Sequence, residues 1–166
     1  MTEDARILPG EQLRQAMRRW VTGVSIVTSQ DGEHRHGMTV NSFVSISIDP
    51  PLVAVTLAVN TRTHSLVRSS RHFGVSVLDY DQAGLSDIFA GRIPDGGDRF
   101  AGIETYTLIG MSPLIAGGLA GLECKVVHEY SMPNSTMFVG EVLAATRRED
   151  GAPLVYVDRG YHSLQA

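Results

Sequence analysis

The sequence predicts a mainly β protein, a Greek-key or split β-barrel with a few short peripheral helices. Three observations predict it. Period-two alternation recurs along the chain, residues 52–59 and 73–78 are nearly continuous apolar runs of strand length, and the strand-helix alternation of a doubly wound sheet is missing. Continuous apolar strands suit positions covered on both faces, or the wall of a closed barrel.

The first periodic segment is helical. Leu13, Met17, Trp20 and Val21 fall at i, i+4, i+7 and i+8, with Arg14, Arg18 and Arg19 on the remaining faces, so this amphipathic helix is expected to cover something. Residues 1–10 are polar and acidic and are expected to be flexible. The period then changes to two. Val24, Ile26 and Thr28 alternate with Ser25 and Val27, Asp31-Gly32 supplies a hairpin turn, and a second strand follows over residues 34–40. Residues 43–48 alternate next, with Val44, Ile46 and Ile48 expected in the core and Phe43, Ser45 and Ser47 opposite, until Asp49-Pro50-Pro51 ends the strand.

The apolar strands 52–59 and 73–78 flank a short helix over residues 63–70. Asp81 is expected to cap a further helix with inner face Leu85, Ile88 and Phe89 and end at Gly91. Residues 91–98 then read as a flexible loop of the kind that lies over ligands. Strands over 122–128 and 137–144, a turn at Asp150-Gly151 and a short strand over 154–157 complete the chain.

With 166 residues and 43% hydrophobic content, a single domain spanning 1–166 with a sizeable core is expected. Formal net charge is −4, and no stretch concentrates Arg and Lys into a stripe, which argues against nucleic acid as a partner. Lys125 is the only lysine, so anions are expected to meet the planar fork of arginine. Cys124 is the only cysteine and, between Leu122 and Val126, is expected to be a buried, inert thiol. The N-terminus lacks the basic and then apolar order of a signal peptide, and no apolar run approaches a membrane span. A cytoplasmic location with no membrane partner follows as the expectation.

The common signatures of phosphate loops, dinucleotide folds, zinc proteases, Cys-x-x-Cys centres and nucleophile elbows are missing. The six histidines are scattered, and the nearest pair, His34 and His36, reads as a solvated strand end, so no metal site is assigned. An organic cofactor is then the expected source of reactivity. Residues 37–47 hold Thr39, Asn41, Ser42, Ser45 and Ser47 with no formal charge. Such a hydroxyl-rich wall suits a flavin, whose pyrimidine edge carries both donors and acceptors; an exposed polar strand face explains it equally well.

Several motifs are recognisable in order. Trp-x-x-Gly-Val-x-Ile-Val-Thr at 20–28, Gly-Met-Thr-Val-Asn-Ser-Phe at 37–43 and Ser-x-Ser-x-Asp-Pro-Pro-Leu at 45–52 resemble the flavin reductase family. So do Asn-Thr-Arg-Thr at 60–63, Asp-Arg-Phe at 98–100 and Gly-Glu-Val at 140–142. The resemblance spans roughly 17–164. It implies the FMN-binding split-barrel fold and the small reductase component of a two-component monooxygenase, passing hydride from NADH or NADPH to FAD or FMN. It also implies a homodimer and a flavin-dependent monooxygenase that receives the reduced flavin. A non-catalytic flavin- or haem-binding split barrel, acting as carrier or sensor, is the alternative.

Position by position, the resemblance places Gly37, Met38, Thr39, Val40, Asn41 and Ser42 around the flavin ring, with Ser45, Ile46 and Ser47 toward the ribityl chain and phosphate. Asn60, Thr61, Arg62, Thr63 and His64 would close on the phosphate or adenine end, with Arg62 as the charge-assisted donor. Phe89, Arg99 and Phe100 would stand on the other side of the cofactor. Many relatives carry Gly-Asp-His before the Gly-x-Val strand, with the histidine near the nicotinamide. Here Pro133, Asn134 and Ser135 replace it, leaving Ser135, Tyr161 and His162 as nicotinamide candidates.

Overall fold

A computed structural model describes residues 8–92 and 97–164. In chain order the elements are α1 (Pro9–Met17), β1 (Thr22–Gly23), β2 (Ser25–Asp31), β3 (His34–Val40), β4 (Val44–Ile48), β5 (Pro51–Ala58), α2 (Arg62–Ser70) and β6 (His72–Val77). A 3-10 turn (Tyr80–Gln82) leads into α3 (Ala83–Phe89). There follow β7 (Thr105–Tyr106), β8 (Leu114–Ile115), β9 (Ala120–Ser131), β10 (Ser135–Arg147), β11 (Leu154–Val157) and β12 (Gly160–Ser163). The protein is mainly β, as the alternation predicts.

Seven strands form one antiparallel sheet in the order β3-β2-β6-β9-β10-β5-β4. The connection from β5 to β6 passes over β10 and β9, a Greek-key crossing carried by α2. The outermost strands, β3 and β4, are neighbours in sequence. Only residues 41–43 separate them, so Val40 and Val44 lie at most roughly 14 Å apart. The sheet must therefore curl until its two edges face each other without pairing, which makes it a barrel with a split. Ser42 sits in that link and ties it to β5, its Oγ donating to the Thr56 carbonyl at 2.9 Å and accepting the Thr56 N–H at 3.2 Å.

One core fills the barrel: Val27, Val40, Val55, Leu57, Phe73, Val75 and Phe138 are buried there, with Val67 of α2 closing one end. A second cluster, Val24, Ile26, Leu78, Phe89, Phe100, Ile115 and Leu154, packs α3 on the outer face of β2. Strand β2 is thus covered on both faces. Cys124 lies in the barrel core, where burial pushes its thiol up to about 12.

Several expectations are corrected. The first helix stops at Met17, leaving Trp20 and Val21 outside it, and the apolar face of Leu13 and Met17 is exposed. Val44, Ile46 and Ile48 are not core: they are 54%, 49% and 86% exposed, because β4 is an edge strand with no second layer over it among the described residues. The alternation also breaks there. Ser45 pairs with Val53 and Ser47 with Leu52, so Ile46 is the extra residue of a bulge and the two serines no longer share a face. The cap before α3 is Asp79, which accepts the Tyr80 N–H, rather than Asp81. Asp79 is held in turn by the Arg148 guanidinium.

Leu114 and Ile115, an apolar pair outside the strands expected from the sequence, are fully covered, since β8 pairs with β7 and the Ile115 N–H is taken by Ser76 Oγ. Strands β9 and β10 run longer than expected. Of the expected flexible N-terminus, residues 1–7 lie outside the described residues, whereas Pro9 and Gly10 open α1. Of the expected loop 91–98, residues 93–96 lie outside them too.

Candidate functional site

Three segments remote in sequence meet at one cleft of about 510 Å3. Met38 and Thr39 of β3 form one wall, Asn60, Thr61 and Arg62 another, and Phe89, Ala90 and Arg99 the third. Each wall is held by identifiable bonds. Thr39 Oγ1 donates to the Ser86 carbonyl at 2.7 Å, tying β3 to α3. Arg99 Nη1 donates to the carbonyls of Gly37 and Phe89 at 3.1 and 2.7 Å, clamping the same two elements at the mouth. The Phe89 and Phe100 rings meet edge to face, with centroids 5.1 Å apart.

The wall formed by Asn60, Thr61 and Arg62 is a helix N-terminus. Thr61 caps α2 by accepting the His64 N–H on Oγ1, and its carbonyl takes the Ser65 N–H, which leaves the N–H groups of Arg62 and Thr63 for an incoming acceptor. Arg62 is exposed beside them. Thr63 and His64 turn inward instead. Thr63 Oγ1 meets His36 Nδ1 at 2.8 Å, binding α2 to β3, and His64 Nε2 meets Thr136 Oγ1 at 2.9 Å with its ring against Phe138. Burial, reinforced by Arg68, holds the His64 imidazole below its usual range.

A smaller recess of about 200 Å3 shares Thr39 and Ala90 with the cleft and is completed by Asn41, Arg92, Tyr156 and Tyr161. The Tyr161 hydroxyl donates to Asp87 at 3.1 Å and shares a 2.7 Å hydrogen bond with Ser86 Oγ, while the Arg92 guanidinium stands 5.6 Å from its ring centroid. Burial raises the Tyr161 phenol, and the Asp87 hydrogen bond raises Arg92 further.

The profile of the flavin reductase like domain matches residues 17–165. The chain belongs to that family. Among curated relatives of this flavin reductase-like chain, the actinorhodin polyketide dimerase of Streptomyces coelicolor is 38% identical over 153 residues, covering 92% of this chain and 85% of its own. The reductase component of 4-hydroxyphenylacetate 3-monooxygenase from Thermus thermophilus is 32% identical over 154 residues, covering 93% and 96%. The Streptomyces globisporus C-1027 NADH:FAD oxidoreductase, solved with NAD and FAD fragments, superposes with a TM-score of 0.86 at 32% identity, covering 95% and 93%.

Of the predicted residues in this flavin reductase-like fold, Met38, Thr39, Asn60, Thr61, Arg62, Phe89 and Arg99 converge on the cleft. Gly37 and Val40 are buried in its wall, and Phe100 backs Phe89. Asn41 lines the recess, and Ser42 is engaged with β5. Ser45, Ile46 and Ser47 line none of these clefts; the Ser47 hydroxyl donates to the Pro50 carbonyl. Ser135 opens β10 opposite Ala58, in a different sheet from Tyr161, and His162 is exposed on β12. Ser86, Asp87, Arg92 and Tyr156 escaped sequence reading. Only the position of Arg92 just past a helix end marked any of them.

Proposed function

We propose that this chain is an NAD(P)H:flavin oxidoreductase that passes hydride from reduced nicotinamide to FAD or FMN and releases the reduced flavin to a partner monooxygenase. The observation that carries this reading is the convergence of residues 38–39, 60–62, 89 and 99 on one cleft in a member of this family. The residues fit a flavin. The β3 wall is uncharged, the helix N-terminus with Arg62 suits a phosphate, and Gly37 lets the Phe89 ring lie close against β3.

In this reading Met38, Thr39 and the main chain of β3 border the ring, Asn60 to Arg62 hold the phosphate end, and Phe89 with Phe100 forms the apolar side. Arg99 and the Thr39 to Ser86 bond position those walls. Thr63, His64 and Ser42 support them from behind, and Ser45, Ile46 and Ser47 act at the barrel edge. The recess of Asn41, Arg92 and Tyr161 receives the nicotinamide, in place of Ser135 or His162. The two bound groups supply the hydride chemistry themselves. The chain's part is to hold them in contact, exclude water and meet developing negative charge with main-chain N–H groups.

The exposed apolar surfaces of α1 and β4 support a homodimer, because a second copy would cover both an unpaired sheet edge and its side chains. One domain over 1–166 and a cytoplasmic location complete the reading, the latter supported by a free, buried Cys124. The test is anaerobic mixing of purified chain with NADH or NADPH and either flavin. Loss of nicotinamide absorbance with matching flavin bleaching is expected; a chain that binds flavin without either change is a carrier, and the enzyme reading fails.

A further inference from the structure

We infer that this chain selects FAD over FMN, with the adenosine half of FAD lying in a second cleft that continues from the first; the inference rests on the flavin reductase reading above. This second cleft, about 590 Å3, is lined by Glu33 in the turn before β3, by His34 and Arg35 at its start, by Ser65 and Leu66 of α2, and by Asp98. It meets the flavin cleft at His36, Arg62 and Gly97, which line both. Its volume rivals that of the first cleft. A flavin ending at a single phosphate beside Arg62 would leave it unfilled.

The chemistry of the second cleft is that of a nucleotide subsite. Arg35 Cζ stands 4.6 Å over the Phe100 ring centroid, which holds the guanidinium as a platform for a stacked purine or a phosphate. Its carboxylate partner, Asp98, lies at 3.9 Å with both side chains well solvated, a weak pair that leaves donors for an anion. Arg62 has no ion pair among the described residues and begins α2, so guanidinium and helix N-terminus act together. Two arginines therefore serve two phosphates. Leu66 offers an apolar wall to a base, and the carboxylates of Glu33 and Asp98 can accept from an exocyclic amine or ribose hydroxyls. FMN engages Arg62 alone, and riboflavin engages neither arginine.

The test is a comparison of riboflavin, FMN and FAD, by Kd and by KM with NADH as donor, in the native chain, Arg62→Gln and Arg35→Gln, with thermal melts to verify folding. FAD is expected to bind about tenfold more tightly than FMN, the worth of one further charge-assisted contact. Arg62→Gln weakens FMN and FAD together, whereas Arg35→Gln lowers the FAD-to-FMN selectivity about tenfold. In the native chain, ADP competes with FAD and not with riboflavin. Equal affinity for FAD and FMN, an unchanged ratio in a folded Arg35→Gln, or failure of ADP to compete overturns the inference while leaving the reductase reading intact. Failure to reduce any of the three flavins overturns both.

Discussion

Gly37 lies so close to Phe89 that a Cβ built on it would stand 2.9 Å from Cε1 and 3.0 Å from Cδ1 of the ring. Phe89 cannot retreat, because it is fully buried against the second hydrophobic cluster. Gly37→Ala is therefore expected to cost about 1–3 kcal/mol by overpacking, or to push the ring into the cleft. A lower melting temperature together with a raised flavin KM is the expected pair of results. An alanine variant matching the native chain in both would show that β3 and α3 separate easily.

Glu123 is fully buried on β9, and its carboxylate accepts four main-chain N–H groups of the following-in-space loop: Leu108 and Ile109 at 3.1 and 2.5 Å, Met111 and Ser112 at 3.0 and 2.8 Å. Removing it leaves these donors unmet away from water. Glu123→Ala should lower unfolding stability by about 3 kcal/mol or more, checked by denaturant titration. A loss within the range of ordinary surface substitutions would mean that water replaces the carboxylate.

Stability should fall as pH drops through the range below the ordinary imidazole pKa of about 6.5. Burial lowers His64, with Arg68 adding to the effect, and burial also lowers His72 against the opposing pull of Glu123 and Asp31. A lowered folded-state value means that the unfolded chain binds protons first. The stabilisation is complete above the unfolded value and is lost as pH falls toward the folded one. Melting temperatures from neutral pH down to about 5 will show this, with a shallower slope in His64→Gln.

Ile48 is 86% exposed on the edge strand β4, so an aspartate there leaves the packing of one chain untouched. In the proposed dimer it places a charge in an apolar interface. Light scattering coupled to size exclusion should find the native chain dimeric and Ile48→Asp monomeric at equal melting temperature of the monomer unit. A native chain that runs as a monomer would remove the dimer from the reading.

Much of the candidate site was legible before the fold was known. The hydroxyl-rich run beginning at Gly37 stands out because strand alternation is written in neighbouring residues, and Asn60-Thr61-Arg62 stands out through the family resemblance, its role as the cap of α2 being seen only in the fold. The same locality misled at β4. Alternation places Val44, Ile46 and Ile48 on one side, but it cannot say whether anything covers that side, and the bulge at Ile46 depends on pairing with β5. The resemblance leaves Ser135, Tyr161 and His162 together as nicotinamide candidates, whereas in the fold Ser135 opens β10 and Tyr161 and His162 lie on β12, Tyr161 beside α3.

By itself, then, the sequence determined the periods, the turns, the buried thiol and the family, since each is carried by side-chain spacing or by motifs in order. Only the tertiary structure decided that β3 and β4 curl round to face each other, that Thr63 and His64 point inward while Arg62 stays at the cleft, that Glu123 gathers the loop 108–112, and that Arg35 meets Phe100. The physical reason is that burial and choice of partner are non-local. They depend on which distant segments the barrel brings within contact distance, and no window along the chain contains both sides of such a contact.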